Sequence, residues 1–163
     1  MPEPLLLIAL AVVLLFGSVL LVGPPYLATL KPQVEAAFDL LDLQPGQMLL
    51  ELGAGDGKVA IAAAKRGINV VGIELNPLLA FIAWARTRRY GKRVRIVCGN
   101  YWQVTWPTET DAIFTFMLQK YMTKLDQRIV VWHKHPVKLA SVAFHIDGRQ
   151  PAQQRGAVYL YEY

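Results

Sequence analysis

Leu49-Leu50-Glu51-Leu52-Gly53-Ala54-Gly55-Asp56-Gly57-Lys58 is the stretch that decides the fold. Residues 48–52 read as a short β-rich run that ends in an acid and a leucine, and three glycines follow at alternate positions. Glycine serves two needs at such a place. The turn takes backbone angles barred to residues with a Cβ, and the backbone approaches a ligand closely. Residues 58–66 then read as a helix, with Gly67 as its C-terminal stop. The dinucleotide fingerprint G-x-G-x-x-G would put its third glycine at position 58. Lys58 stands there, which disfavours a pyrophosphate-binding loop and the oxidoreductase chemistry that goes with it.

Working outward, β-rich and helical runs alternate. Val34, Ala37, Phe38 and Leu41 recur at helical spacing over residues 33–43. Strands are expected over 69–75, 94–98, 111–116, 139–146 and 157–161. A helix is expected over 77–90, with Asn76 as its cap and Pro77 at its first position. Residues 150–156 read as a polar turn. Strand–helix–strand repetition implies a mostly parallel, Rossmann-like α/β sheet with its ligand at the carboxyl ends of the strands.

The 163-residue chain has room for one domain, and its formal charge of +5 suits an anionic surface or ligand without selecting one. The apolar fraction of 54% is high for a soluble chain, and most of the excess sits at the N-terminus. No charged residue occurs from Pro4 to Thr29, and residues 5–22 are nearly all Leu, Ile, Val, Ala and Phe. Some twenty such residues make about 30 Å of helix, the thickness of a bilayer's hydrocarbon core. A cleaved signal peptide needs a basic start and a shorter apolar run, and Met1-Pro2-Glu3-Pro4 supplies no basic residue. The expected organisation is a transmembrane anchor over 1–23 and a single domain over 24–163. Lys31, the first basic residue after the run, points the domain to the cytoplasmic side of a single-pass membrane protein.

Three further places suggest chemistry. Glu74 ends the second strand about twenty residues after the glycine loop, where an acid can accept from both ribose hydroxyls. Asn100, after the third strand, offers a side-chain oxygen to an adenine amino group. Tyr101 or Trp102 can cover the ring. The single cysteine, Cys98, reads as a buried strand residue. His133 and His135 lie in a polar stretch without a third ligand nearby, so no metal is expected. Arg86, Arg88, Arg89, Lys92, Arg93 and Arg95 follow the apolar run 78–85. They read either as a solvated helix end or as a surface pressed on anionic headgroups. Sparse aromatic interleaving argues against nucleic acid as a partner.

The Glu51–Lys58 loop, with acid-x-G-x-G-x-G spacing, resembles the first motif of class I S-adenosyl-L-methionine-dependent methyltransferases. Together with Pro25-Tyr26, Glu74-Leu75-Asn76-Pro77, Asn100-Tyr101-Trp102 and Thr105, it resembles one group of them. These are the membrane-anchored protein-lysine N-methyltransferases acting on the ATP synthase c subunit and the adenine nucleotide translocase, with their small prokaryotic relatives. The resemblance implies S-adenosyl-L-methionine contacts at Glu51, Gly53, Ala54, Gly55, Gly57, Glu74, Leu75, Asn100 and Tyr101, with Tyr26 closing over the cofactor. It implies a lysine of a membrane-associated protein as acceptor, with Asp56, Asn100, Tyr101 and Gln119 best placed to line the acceptor side. A lipid or small-molecule acceptor, or a cofactor-binding but inactive membrane adaptor, are the other readings.

This chain departs from the group at three places. Asn100 stands where an acid is usual. The entry segment reads Tyr26-Leu27-Ala28-Thr29. Phe114-Thr115-Phe116-Met117-Leu118-Gln119 lacks the Asn/Asp-Pro-Pro-Tyr signature of many amino-group methyltransferases. The early C-terminus also leads us to expect one strand of the usual seven to be missing.

Overall fold

The computed structural model describes residues 3–22 and 29–163. Helix α1 (Glu3–Val22) comes first, then α2 (Lys31–Leu41), β1 (Met48–Leu52), α3 (Lys58–Lys65), β2 (Asn69–Glu74) and α4 (Pro77–Thr87). A 3-10 segment (Arg88–Arg93) leads to β3 (Val94–Cys98) and β4 (Ala112–Thr115). The chain closes with α5 (Gln119–Trp132), β5 (Lys138–Val142), β6 (Gln153–Arg155) and β7 (Val158–Glu162).

The seven strands form one sheet in the order β3-β2-β1-β4-β5-β7-β6. All neighbours pair in parallel except β7, which runs antiparallel to both β5 and β6. The expected missing strand is therefore present. It is β6, three exposed polar residues in the segment read as a turn. An edge strand this short and polar has no apolar alternation to announce it, and the β7 ladder alone holds it.

Burial on both faces explains the continuous apolar runs of the central strands. Leu49 on β1 packs on one side with Val34, Ala37, Phe38 and Leu41 of α2 and with Val59, Ala60 and Ala63 of α3. Leu50 and Leu52 point to the other side, against Met122, Leu125 and Ile129 of α5. Fully burying each such Leu or Ile contributes about 1.5–3 kcal/mol. The spacing of Met122, Leu125 and Ile129 is helical, so α5 was within reach of periodicity although none was predicted there.

Local chemistry sets the element ends. Asn76 Oδ1 accepts the Leu78 and Leu79 amides at 2.9 and 3.2 Å and starts α4. That helix ends at Thr87 rather than at residue 90, because the chain tightens into the 3-10 segment and breaks at Gly91. β5 stops at Val142, not 146, where Ala143 takes a φ of +68°. Cys98 is exposed, against expectation, because β3 is the edge strand of the sheet.

Among the described residues no helix is long and apolar enough to cross a membrane. Along α1 the side chains are described at 3–11, 13 and 14 only, so the later half of the expected anchor lies outside them. The structure therefore does not show the expected transmembrane helix.

Candidate functional site

The carboxyl ends of β1 and β2 carry the site. Five residues of β1 and β2 pair in parallel register, and Glu51 lies opposite Gly72. A Cβ at Gly72 would meet Ala54 Cβ at 2.9 Å and Ile96 Cδ1 at 3.0 Å, and it would lie 3.7 Å from Glu51 Oε2. Glycine at 72 thus lets the loop and the Glu51 side chain lie down on β2.

Glu51 is buried, and its Oε2 has no hydrogen-bond partner among the described residues. Burial pushes its carboxyl well above the usual carboxylate range. The neighbouring carboxylates of Glu74 and Asp56 raise it further, and the Ala60 amide opposes them. The ionised form of Glu51 is costly there unless something supplies a counter-charge.

Glu74 is buried at the end of β2 and organises the loop. Its Oε2 accepts the Gly55 amide at 2.8 Å and its Oε1 accepts the Asn76 amide at 2.8 Å. A carboxylate has about four acceptor positions, so capacity remains for ligand hydroxyls.

The amides of the three loop glycines and of Ala54 are spent inside the protein. Gly53 and Ala54 both donate to Ile73 O, at 2.9 and 3.0 Å, and Gly57 donates to Ala54 O at 2.9 Å. With Gly55 bonded to Glu74, no row of free amides is left to cradle a pyrophosphate. The buried Glu74 carboxylate beside the loop would also repel one.

Gly53 and Gly57 take φ of +86° and +81°. A Cβ at Gly53 would meet nothing within 4 Å, whereas one at Gly57 would meet Ala83 Cα at 3.1 Å and Thr87 Cγ2 at 3.3 Å. Gly53 therefore borders open space, and Gly57 is packed against α4.

The other predicted residues are placed as follows. Asp56 accepts the Lys58 amide at 3.2 Å and forms an ion pair with Arg86, which also donates to Asp56 O at 2.9 Å. Gly99 donates to Glu74 O at 2.8 Å, which brings Asn100 to the end of β2. Asn100 Oδ1 accepts the Trp102 amide at 2.9 Å. Tyr101 is buried, and burial pushes its hydroxyl up to about 12, so it stays protonated at working pH. Leu75 is half-buried between Glu74 and Asn76. Tyr26 lies outside the described residues. Lys58 Nζ donates to Thr29 O at 3.3 Å, which ties the segment after Tyr26 to the glycine loop.

Gln119 stands apart from the loop, at the start of α5. Its Nε2 donates to His145 O at 3.0 Å and to Asp147 Oδ1 at 2.9 Å. Phe116 and Phe144, just past the ends of β4 and β5, face each other with ring centroids 6.3 Å apart. Sequence reasoning did not single out this aromatic pair, nor Arg128. The Arg128 guanidinium donates to Trp102 O and Val104 O and lies 4.2 Å from the Trp106 ring centroid. It fixes the segment that carries Asn100 and Tyr101. Such partners are distant in sequence and give no local signal. His133 and His135 bind backbone carbonyls, Ile129 O at 2.8 Å and Thr108 O at 2.7 Å. Chemically, the arrangement suits a ligand with a cationic group for Glu51 and hydroxyls for Glu74.

Known proteins are similar to this chain in sequence and in fold. Residues 51–153 match the family model for the ANTKMT methyltransferase domain. The human lysine N-methyltransferase of the ATP synthase c subunit is 30% identical over 107 residues, 64% of this chain and 45% of that protein. The chain thus spans about half the length of such curated relatives. A protein-lysine N-methyltransferase of Saccharolobus islandicus is 28% identical over 150 residues, covering 84% of this chain and 92% of that protein. The crystal structure of an RNA methyltransferase from Salinibacter ruber, in complex with S-adenosyl-L-homocysteine, superposes with a TM-score of 0.77. It is 24% identical and covers 83% of this chain and 93% of that one, which establishes the fold. The match across the site, from Glu51 to the β6 edge, shows that the chain belongs to the ANTKMT methyltransferase domain family.

Proposed function

We propose that the protein is an S-adenosyl-L-methionine-dependent protein-lysine N-methyltransferase held at a membrane by its N-terminal helix. The observation that carries this reading is the pair of buried carboxylates at adjacent strand ends. The unpartnered Oε2 of Glu51 is free to take a cationic group, and the glycine loop spends the amides of Gly53, Ala54, Gly55 and Gly57 within the protein rather than on a phosphate. S-adenosyl-L-methionine fits these residues, because it presents an ammonium, two ribose hydroxyls and no phosphate. Glu51 would hold the ammonium and Glu74 the ribose. Asn100 and Tyr101, brought to the end of β2 by the Gly99 amide, would border the adenine. Gly53 would leave room for the ligand at the loop. Tyr26 would close the site from the N-terminal side, three residues before the Thr29 carbonyl that Lys58 grips.

When bound, the cofactor supplies an electrophilic sulfonium methyl group. The chain's own work is to orient the acceptor and exclude water. A lysine acceptor must shed a proton from an ammonium of ordinary pKa about 10.4. The half-buried Phe116 and Phe144, at the carboxyl ends of β4 and β5, would desolvate it and favour the neutral amine. Tyr101 does not act as a base, since its hydroxyl keeps its proton. Asp56 and Gln119 are held by Arg86 and by Asp147, which suits positioning the acceptor mouth rather than proton transfer.

Lysine as acceptor is supported by the relatives, whose names state that specificity. Anchoring is supported by the uncharged run from Leu5 to Val22 and by the exposed Leu5, Leu6, Leu7, Ile8 and Leu10 of α1. A second reading, a cofactor-binding adaptor without turnover, is favoured by Phe116-Met117-Leu118-Gln119 in place of a polar signature after β4. The test is transfer of radiolabelled methyl from S-adenosyl-L-methionine to membranes of the source cells, with amino-acid analysis of the product. Methyl-lysine supports the enzyme. Label in lipid or small molecules overturns the acceptor, and no label from a protein that binds the cofactor favours the adaptor.

A further inference from the structure

Helix α4 and the 3-10 segment after it leave a surface that nothing in the described fold covers. α4 turns Ala80, Ala83 and Thr87 to the protein. Its outer side carries Leu78, Phe81 and Trp84, which are 38, 61 and 50% exposed. The Phe81 and Trp84 rings lie 5.7 Å apart, so the three form one patch over two turns. A clustered aromatic patch of this kind on an otherwise ordinary surface marks an interaction site.

The charge around it has one sign. From Pro77 to Thr108 the sequence holds no Asp or Glu. Arg86 is paired with Asp56. Arg88, Arg89, Lys92, Arg93 and Arg95 are exposed and meet no carboxylate among the described residues. Apolar rings on one turn are thus followed immediately by unpaired cations on the next.

We propose that this face docks on an anionic lipid bilayer, with Leu78, Phe81 and Trp84 entering the headgroup boundary and Arg88, Arg89, Lys92 and Arg93 facing the phosphates. Trp and Phe beside Lys and Arg have the chemistry of that boundary, where one end of the surface is apolar and the other wet and negative. A single-stranded nucleic acid fits less well. It wants rings interleaved with cations, and the aliphatic Leu78 gains little from a base. A second copy of the chain fits less well again, because a symmetric contact would set this run of cations against itself. The exposed apolar side chains of α1 call for the same kind of surface.

The docking does not depend on methyl transfer, but it bears on it. α4 starts at Pro77, three residues after Glu74, and its cap Asn76 donates to Glu74 Oε1. A bilayer under α4 would hold the mouth of the site within reach of a membrane-embedded acceptor.

The test is quenching of tryptophan emission by brominated acyl chains. The full chain is reconstituted in vesicles of phosphatidylcholine with about one third phosphatidylglycerol. α1 contains no tryptophan, so the anchor does not contribute to the signal. We expect quenching that is mostly lost in Trp84→Phe. We expect it to fall at least about twofold in pure phosphatidylcholine, at about 0.5 M salt, and in the triple variant Arg88→Glu, Arg89→Glu, Lys92→Glu. Equal quenching in wild type and Trp84→Phe, with both folded by circular dichroism, overturns the proposal. So does quenching indifferent to the triple variant. Trp84 emission that responds to polyuridylate, or to protein concentration without lipid, and not to the brominated vesicles would assign the face to nucleic acid or to self-association instead.

Discussion

Glu74 Oε2 accepts the Gly55 amide at 2.8 Å across nineteen residues, so the acid read as a ribose ligand is also the post on which the glycine loop hangs. Its other oxygen holds the Asn76 amide at the entry to α4. One carboxylate therefore couples the shape of the loop to the start of the next helix. Glu74→Ala leaves two partly or fully buried amides without an acceptor. It should cost about 2–4 kcal/mol of stability as well as abolish cofactor binding. Chemical denaturation and calorimetry on the same sample check both. Loss of binding without loss of stability would contradict the structural half of this role.

Glu51 behaves in the opposite sense. Its folded-state carboxyl titrates above the value for an unfolded glutamate, because it is buried beside Glu74 and Asp56. Its contribution is fully present below the unfolded value and is lost as pH rises through the folded one. The ligand-free protein should thus weaken over that window, and Glu51→Gln should remove the weakening. At about pH 8 the variant should melt about 2–4 °C higher than wild type. It should bind cofactor far less tightly.

An ammonium beside Glu51 reverses the balance, since it favours the ionised acid. Cofactor affinity should rise with pH up to the folded-state value and then level off, with proton release on binding over the range in which it rises. Calorimetry in buffers of different ionisation heat reads the proton count directly. Glu51→Gln should show none.

Gly53 and Gly57 share a left-handed backbone but differ in surroundings. Gly57→Ala adds a clash with Ala83 and Thr87 to the backbone strain and should cost about 2–3 kcal/mol. Gly53→Ala meets open space, should cost about 1 kcal/mol, and should act mainly on cofactor affinity. The two melting temperatures together with the two dissociation constants separate these effects.

Much of this was readable in the sequence because it rests on local patterns. Val34, Ala37, Phe38 and Leu41 at helical spacing are the residues α2 buries. The Glu51–Gly57 loop and Glu74 lie where strand ends were expected. What escaped depends on distant partners or weak patterns. β6 is polar on every residue and exists through pairing with β7. Cys98 sits in an apolar run, yet its exposure follows from β3 lying at the sheet edge, which only strand order decides. The unpartnered oxygen of Glu51 and the spent loop amides are likewise facts of three-dimensional arrangement.

Arg128 illustrates the same limit and gives a further prediction. It joins α5 to the backbone of Trp102 and Val104 and stacks on Trp106. Arg128→Ala should cost about 1–3 kcal/mol and loosen the Asn100–Tyr101 turn. Amide exchange in residues 100–105 should rise more than in β1 and β2, and cofactor affinity should fall severalfold.

The most direct test of the central claim is calorimetric titration of the full chain in detergent with S-adenosyl-L-methionine, using NAD as the control ligand. The account predicts stoichiometric binding of S-adenosyl-L-methionine that is lost in Glu74→Ala and strongly weakened in Glu51→Gln, with no binding of NAD. Absence of binding by a folded protein, or a preference for NAD, would contradict it.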